Sequence, residues 1–249
     1  MSERIAILGG SGLSRLDALA VERRKIVVTP YGEPSAPLTF GTFDRLPIVF
    51  LPRHGEAHTI PPHLVNYRAN IWALHSVGVR RIVSVASVGG ITLGPETLCV
   101  PDQIIDYTWG REHTYVESGV APVKHAEFTE PYCGEMRGRL LEAGRRAGIE
   151  VVDGGTYGAT QGPRLETAAE IERMRRDGCD LVGMTGMPEA ALARELGLCF
   201  AHLTLVVNWA AGIGGQEISM EEIRTALERS IESVRRIIGR LGAAAAPSE

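Results

Sequence analysis

The sequence predicts a single α/β domain, and three observations carry that prediction. Apolar, β-branched runs alternate with longer amphipathic stretches, as strands and helices packed in layers require. Several of these runs stop at glycines or polar residues, the arrangement that opens ligand sites at the carboxyl ends of strands. At 249 residues, 44% of them hydrophobic, the chain suits one such domain or at most two small ones. No repeat or linker divides it.

The elements follow in order. Ile5-Ala6-Ile7-Leu8 reads as the first strand and runs into Gly9-Gly10-Ser11-Gly12. Residues 47–51 form another, ending at Arg53-His54-Gly55. Residues 65–77 read as a helix closed by Gly78, and residues 81–88 as a strand leading to Gly89-Gly90. Residues 130–148 and 166–178 each hold a helix. Residues 180–184 are a short buried strand, and residues 189–196 a short helix after Pro188. The apolar run 203–208 is a buried strand that ends at Asn208, before Trp209 and the Gly-rich stretch 210–215. The last helix opens on a Ser219-Met220-Glu221-Glu222 capping box. Its apolar stripe is Ile223, Leu227, Ile231, Val234, Ile238 and Leu241. The domain therefore spans 1–242, and 243–249 is expected to be a disordered tail.

A formal charge of −4 argues against nucleic acid as the main partner, because no basic excess exists to neutralise phosphates. The run Arg23-Arg24-Lys25 reads as solvated surface. Four scattered cysteines without CxxC spacing favour free, reduced thiols in a cytoplasmic protein over disulfides or zinc. The sequence shows no N-terminal signal region and no membrane-length apolar span, so neither secretion nor a membrane is expected.

The strand-to-loop junctions carry the chemistry. Asn208 offers amide donors and an acceptor side by side at a strand end. The Gly9-Gly10-Ser11-Gly12 turn could cradle an anion with its amides and hydroxyl. It lacks the GxGxxG pattern and a following acidic residue, so a dinucleotide is disfavoured. Arg53 beside His54 is a phosphate-binding pair, with a purely structural pair as its competitor. His54, His58 and His63 lack the HExxH order of a zinc site, and no metal is expected. Glu166 opens a helix after Gly162-Pro163. Met184-Thr185 precede the Pro188-Glu189 helix start, a second candidate anion site, although Met184 alone would serve as core filler.

Together these segments resemble the trimeric purine nucleoside phosphorylase and methylthioadenosine phosphorylase family, over nearly the whole chain from Ile5 to about Leu241. The stretches that carry the resemblance are Gly-Gly-Ser-Gly, Arg-His-Gly, Val65-Asn66-Tyr67-Arg68-Ala69-Asn70, Gln-Gly-Pro-Arg-Leu-Glu-Thr and Met-Thr-Gly-Met-Pro-Glu-Ala. The resemblance implies a single-domain, three-layer α/β/α fold with a mixed central β-sheet. It also implies a homotrimer with sites at its subunit interfaces, and phosphorolysis with inorganic phosphate as co-substrate and no metal or organic cofactor. Ser11, Arg53, His54, Ser87 and Thr185 match phosphate-binding positions, with Arg53 as main anchor. Met184 matches the residue packed on the ribose, and Leu165, Glu166 and Asn208 match the base site. Leu165 departs from the family's usual Phe, and Ala210 stands where adenine-cleaving members carry Asp.

The base follows from counting donors and acceptors. A 6-oxopurine offers an N1–H to Glu166 and an O6 to the Asn208 amide, whose oxygen can accept from a protonated N7. Asn208 and His54 are thus the expected catalytic groups. At the 5′ end, His58 and His125 match residues beside the 5′ substituent, and Met220 with Ile223 would make an apolar cup. The expected substrate is S-methyl-5′-thioinosine. Inosine or guanosine is the rival, and methylthioadenosine stands further behind. A non-catalytic nucleoside or phosphate sensor on the same fold is the alternative class.

Overall fold

The structure, a computed structural model, describes residues 4–13, 16, 18–117, 125–215 and 218–242, so the expected tail at 243–249 lies outside the described residues. In chain order the elements are β1 (Ile5–Gly9), β2 (Ala20–Lys25), β3 (Leu38–Phe43) and β4 (Leu46–Pro52). A short 3-10 turn (Pro62–Leu64), α1 (Tyr67–Ser76), β5 (Arg81–Gly90), β6 (Leu98–Val100) and β7 (Gln103–Asp106) follow. Next come α2 (Gly134–Ala147), β8 (Val152–Asp153), β9 (Thr156–Ala159) and α3 (Ala168–Arg176). The chain continues through β10 (Leu181–Gly183), α4 (Glu189–Glu195), β11 (Cys199–Trp209) and α5 (Met220–Arg240).

The strands form one mixed sheet. β1 pairs in parallel with β4 and β5, and β11 runs parallel to β5, whereas β2, β3 and β4 are antiparallel neighbours. Alternation along each strand divides its side chains between two cores. Ala6, Leu8, Ile82, Ala86 and Phe200 face one core, which also holds Ile71 and Leu74 of α1 and Leu192 of α4. Ile5, Ile7, Val83, Val85, Leu203 and Leu205 face the other, with Leu140 of α2 and Ile237 and Ile238 of α5. This is the three-layer α/β/α arrangement.

Two irregularities in the sheet make room for a site. β1 follows β5 only as far as Ser84, and β10 pairs with the same strand at Gly89 and Gly90. Among the described residues no strand covers that side of β5 in between. On the other side, β11 keeps register to Val206, opposite Val88, and resumes with Asn208 opposite Gly89. Val207 is therefore the extra residue of a bulge, a device that re-aims side chains.

The predicted elements are all present, with shifted ends. α1 begins at Tyr67 because the Asn66 side chain caps it by accepting from the Ala69 amide. The Ser219 hydroxyl accepts from the Glu222 amide at α5, but the reciprocal capping box forms at α3, between Thr167 and Glu170. The strand beginning expected at 203 starts earlier, at Cys199. Arg23, Arg24 and Lys25 are exposed, as expected of surface, but they belong to the edge strand β2.

The thiol expectation is corrected. Cys133 and Cys199 form a disulfide that joins the residue capping α2 to the first residue of β11, while Cys99 and Cys179 are free and buried. The two positions lie 66 residues apart in sequence, so their spacing says nothing of their 5.1 Å Cα separation. Among the described residues no helix is long and apolar enough to cross a membrane.

Candidate active site

A cavity of about 720 Å³ opens where β1, β4, β5, β10 and β11 meet, over the uncovered stretch of β5. Ser11, Arg53, His54, His58, Ser87, Leu165, Glu166, Met184, Thr185, Asn208, Met220 and Ile223 all line it. His125 does not. It is exposed on the irregular segment ahead of α2, away from the cavity of its own chain.

One end is built around Arg53. Its guanidinium is fully buried and grips both carboxylate oxygens of Glu189, through Nε and Nη2. Nη2 also donates to Ser84 Oγ (2.5 Å), and Nη1 donates to the Val85 carbonyl (3.1 Å). With four of these bonds made, one of its five N–H groups, on Nη1, is left for the cavity. Burial works against the charge, but Glu189 more than offsets it, so the Arg53 pKa stands above its ordinary value. Most of the guanidinium thus holds the core together, and what Arg53, the expected main phosphate anchor, keeps for a ligand is that one N–H. Gly10 packs directly on this pair, since a Cβ there would sit 2.8 Å from Arg53 Nη1 and 2.5 Å from the Val85 oxygen.

His54 follows Arg53 in the cavity wall. Its Nδ1 lies 2.8 Å from the Ile60 carbonyl, so that nitrogen carries the proton and donates, and Nε2 holds a bare lone pair. Burial and the adjacent Arg53 charge push its pKa down to about 4. A neutral ring with this tautomer offers an acceptor, not a donor, to a ligand in the cavity. His58 stands with its ring centroid 4.8 Å from that of His54, and its Nε2 is 3.4 Å from Ser11 Oγ. Thr185 Oγ1 is buried at the cavity wall and, among the described residues, has no hydrogen-bond partner. Leaving such a group unsatisfied costs about 1–3 kcal/mol, so it marks a place where a ligand oxygen would be welcome.

The other end is built around Glu166 and Asn208. Thr160 Oγ1 donates to Glu166 Oε1 at 2.6 Å. Asn208, re-aimed by the bulge, donates from Nδ2 to the Trp209 carbonyl at 2.6 Å. That bond fixes the amide and leaves one N–H and the oxygen to face a ligand. Leu165 is partly exposed at the rim. Met184 packs against Gly162, where a Cβ would lie 2.4 Å from its sulfur. Ile223 is half-buried, whereas Met220 is 69% exposed, so the apolar cup lacks a wall. Arg224 stands on the same rim.

Residues 4–242 match the phosphorylase superfamily. The chain belongs to that superfamily. It is 51% identical over 240 residues to a probable S-methyl-5′-thioinosine phosphorylase of Xanthomonas campestris pv. campestris, covering 95% of this chain and 96% of the relative. It is 44% identical over 242 residues to the 6-oxopurine nucleoside phosphorylase of Pyrococcus furiosus, covering 94% and 90%. Among solved structures, methylthioadenosine phosphorylase from Schistosoma mansoni in complex with adenine superposes with a TM-score of 0.90. The two chains are 32% identical, with 96% of this one and 91% of that one covered.

Three further residues shape this phosphorylase site without being singled out for it in the sequence. Glu189 lies within the Met-Thr-Gly-Met-Pro-Glu-Ala stretch but reads there only as a helix-start acid, and Ser84 lies mid-strand. Arg111 is the third. Its buried guanidinium donates to the carbonyls of Thr160 (3.0 Å), Gln161 (3.0 Å), Met184 (2.9 Å) and Met187 (2.6 Å). It also donates to Gln161 Oε1 (3.1 Å) and Tyr67 Oη (3.2 Å). All six acceptors are uncharged, and they tie the loop that bears Glu166 to the loop that bears Thr185. Backbone carbonyls exist at every position, so no residue pattern announces this knot.

Proposed function

We propose that this protein phosphorolyses S-methyl-5′-thioinosine, releasing hypoxanthine and 5-methylthioribose 1-phosphate. The observation that carries this reading is the pairing of Glu166 and Asn208 at one end of a single cavity, opposite the unpartnered Thr185 hydroxyl. Glu166 accepts from N1–H, and Asn208 supplies a donor to O6 and an acceptor to N7–H, the pattern of a 6-oxopurine. As the glycosidic bond breaks, charge develops on the base, and hydrogen bonds already aimed there stabilise it.

Inorganic phosphate is the nucleophile in this proposal, with no metal or organic cofactor. The hydroxyls of Thr185, Ser87 and Ser11 and the remaining Arg53 N–H would hold it, while neutral His54 shapes the wall. The 51% identical relative named for methylthioinosine supports the 5′ assignment, as do Met220 and Ile223. The relative named a 6-oxopurine nucleoside phosphorylase supports the base and keeps inosine and guanosine as the second reading.

We also propose a homotrimer. The site in one chain is open at Met220 and lacks His125, and a neighbouring subunit would close the first gap and bring the second residue. A cytoplasmic setting stays in the proposal without help from the thiols, two of which are joined. The test is release of hypoxanthine from methylthioinosine with and without phosphate. Release that requires phosphate supports the proposal; equal hydrolysis without it rejects the reaction type.

A further inference from the structure

We infer that Thr160 is a specificity-determining positioning residue, which fixes Glu166 as a hydrogen-bond acceptor towards the base. The inference rests on the proposal that the cavity takes a purine nucleoside.

Thr160 follows β9 and is only 8% exposed. Its backbone is pinned on both sides: its amide donates to the Gly183 carbonyl at 2.7 Å, and its carbonyl accepts from Arg111 Nη2 at 3.0 Å. Gly183 is itself wedged, since a Cβ there would lie 2.2 Å from Tyr157 Oη. The hydroxyl therefore has little freedom, and two acceptors compete for its one hydrogen. Glu166 Oε1 is at 2.6 Å and the Gly183 carbonyl at 3.3 Å.

Two proton arrangements keep every group bonded. With Glu166 ionised, Thr160 donates to Oε1 in a charge-assisted bond. With a proton on Oε1, the carboxyl donates to Thr160, and Thr160 donates to Gly183. Both arrangements spend Oε1 on Thr160 and leave Oε2 as an acceptor. No donor from the described residues bonds Oε2, and Glu166 lines the cavity. An N1–H meets that acceptor well. The bare N1 of a 6-aminopurine needs the proton on Oε2, which reduces the short Thr160 bond to a neutral one of about half the strength. The discrimination is thus written partly in a residue that never touches the base.

The test compares wild type, Thr160→Val, Thr160→Ser and Glu166→Gln by kcat/KM for methylthioinosine and methylthioadenosine, with phosphate, from pH 5 to 8. Thr160→Val should lower the 6-oxo to 6-amino ratio by roughly three- to tenfold, the difference between a charge-assisted and a neutral hydrogen bond. Thr160→Ser should keep the wild-type ratio. In Glu166→Gln, the Thr160 hydroxyl should hold the amide oxygen, turn the NH₂ towards N1, and raise 6-aminopurine cleavage while lowering that of 6-oxopurines. A ratio unchanged in Thr160→Val at every pH, or no gain of 6-aminopurine cleavage in Glu166→Gln, overturns the role of Thr160. If Thr160→Val does not fold, the Gln variant alone decides. A wild-type enzyme that cleaves neither nucleoside sinks the underlying proposal instead, and this one with it.

Discussion

Arg53 and Glu189, 136 residues apart in sequence, form a buried two-point ion pair beneath the cavity, braced by Ser84. Neither side chain has appreciable exposure. Two buried charges hold each other in place only while both are present. The pair thus couples the β4 end, where Arg53 sits, to the start of α4, and keeps the Gly10 turn and the Thr185 loop in fixed relation.

Arg53→Ala should consequently destabilise the protein by about 3–5 kcal/mol, because Glu189 is left charged in the core. Arg53→Lys should recover only part of this, since an ammonium cannot grip both oxygens and Ser84 together. Urea unfolding of the two variants measures it. A loss under about 1 kcal/mol for the alanine variant would mean that Arg53 serves the ligand alone.

Acid should unfold the protein from the histidine side as well. Burial, with Arg53 nearby, pushes His202 down to about 3 and His54 to about 4, both below the ordinary 6.5. Between those values and 6.5 the unfolded chain binds more protons than the folded one, so stability falls as pH drops through that window. It is fully present above 6.5. Among the described residues neither ring nitrogen of His202 has a partner, and its ring lies against Tyr157. His202→Phe should leave stability at pH 7.5 unchanged or higher and flatten its decline between pH 6.5 and 4. Denaturation curves at several pH values check this, and an undiminished decline would contradict it.

Asn208→Asp should cut kcat on 6-oxopurine nucleosides by on the order of 10²-fold, as removal of one donor at developing charge does. Glu166 and Thr160 should keep any new adenine-nucleoside cleavage low. Steady-state rates on both substrate classes measure it, and an unchanged profile would refute the donor–acceptor argument.

What could be read from the sequence followed from local chemistry. Asn208 ends an apolar β-branched run, and Glu166 follows a Gly-Pro turn, so both announce strand-end and loop positions. The bulge at Val207 that aims Asn208 left no trace, because Val207 simply extends the buried apolar run Leu205-Val206-Val207. β2 escaped for the opposite reason, being exposed throughout and without alternation, and β6 and β8 are too short to show a period. The tautomer of His54 is set by the Ile60 carbonyl, and Arg111 is held by four other carbonyls. Such partners are backbone atoms, which carry no residue identity.

The central claim is that one cavity joins a 6-oxopurine site to a methylthio pocket, and the most direct measurement compares methylthioinosine with inosine. An unpaired 5′-hydroxyl at an apolar wall costs roughly 1–3 kcal/mol, and a buried methylthio group gains a similar amount. The kcat/KM for methylthioinosine should exceed that for inosine by about two to three orders of magnitude. Met220→His should narrow the gap by offering the hydroxyl a partner. Equal efficiency on the two substrates in the wild type would contradict the account and leave a nucleoside phosphorylase indifferent to the 5′ group.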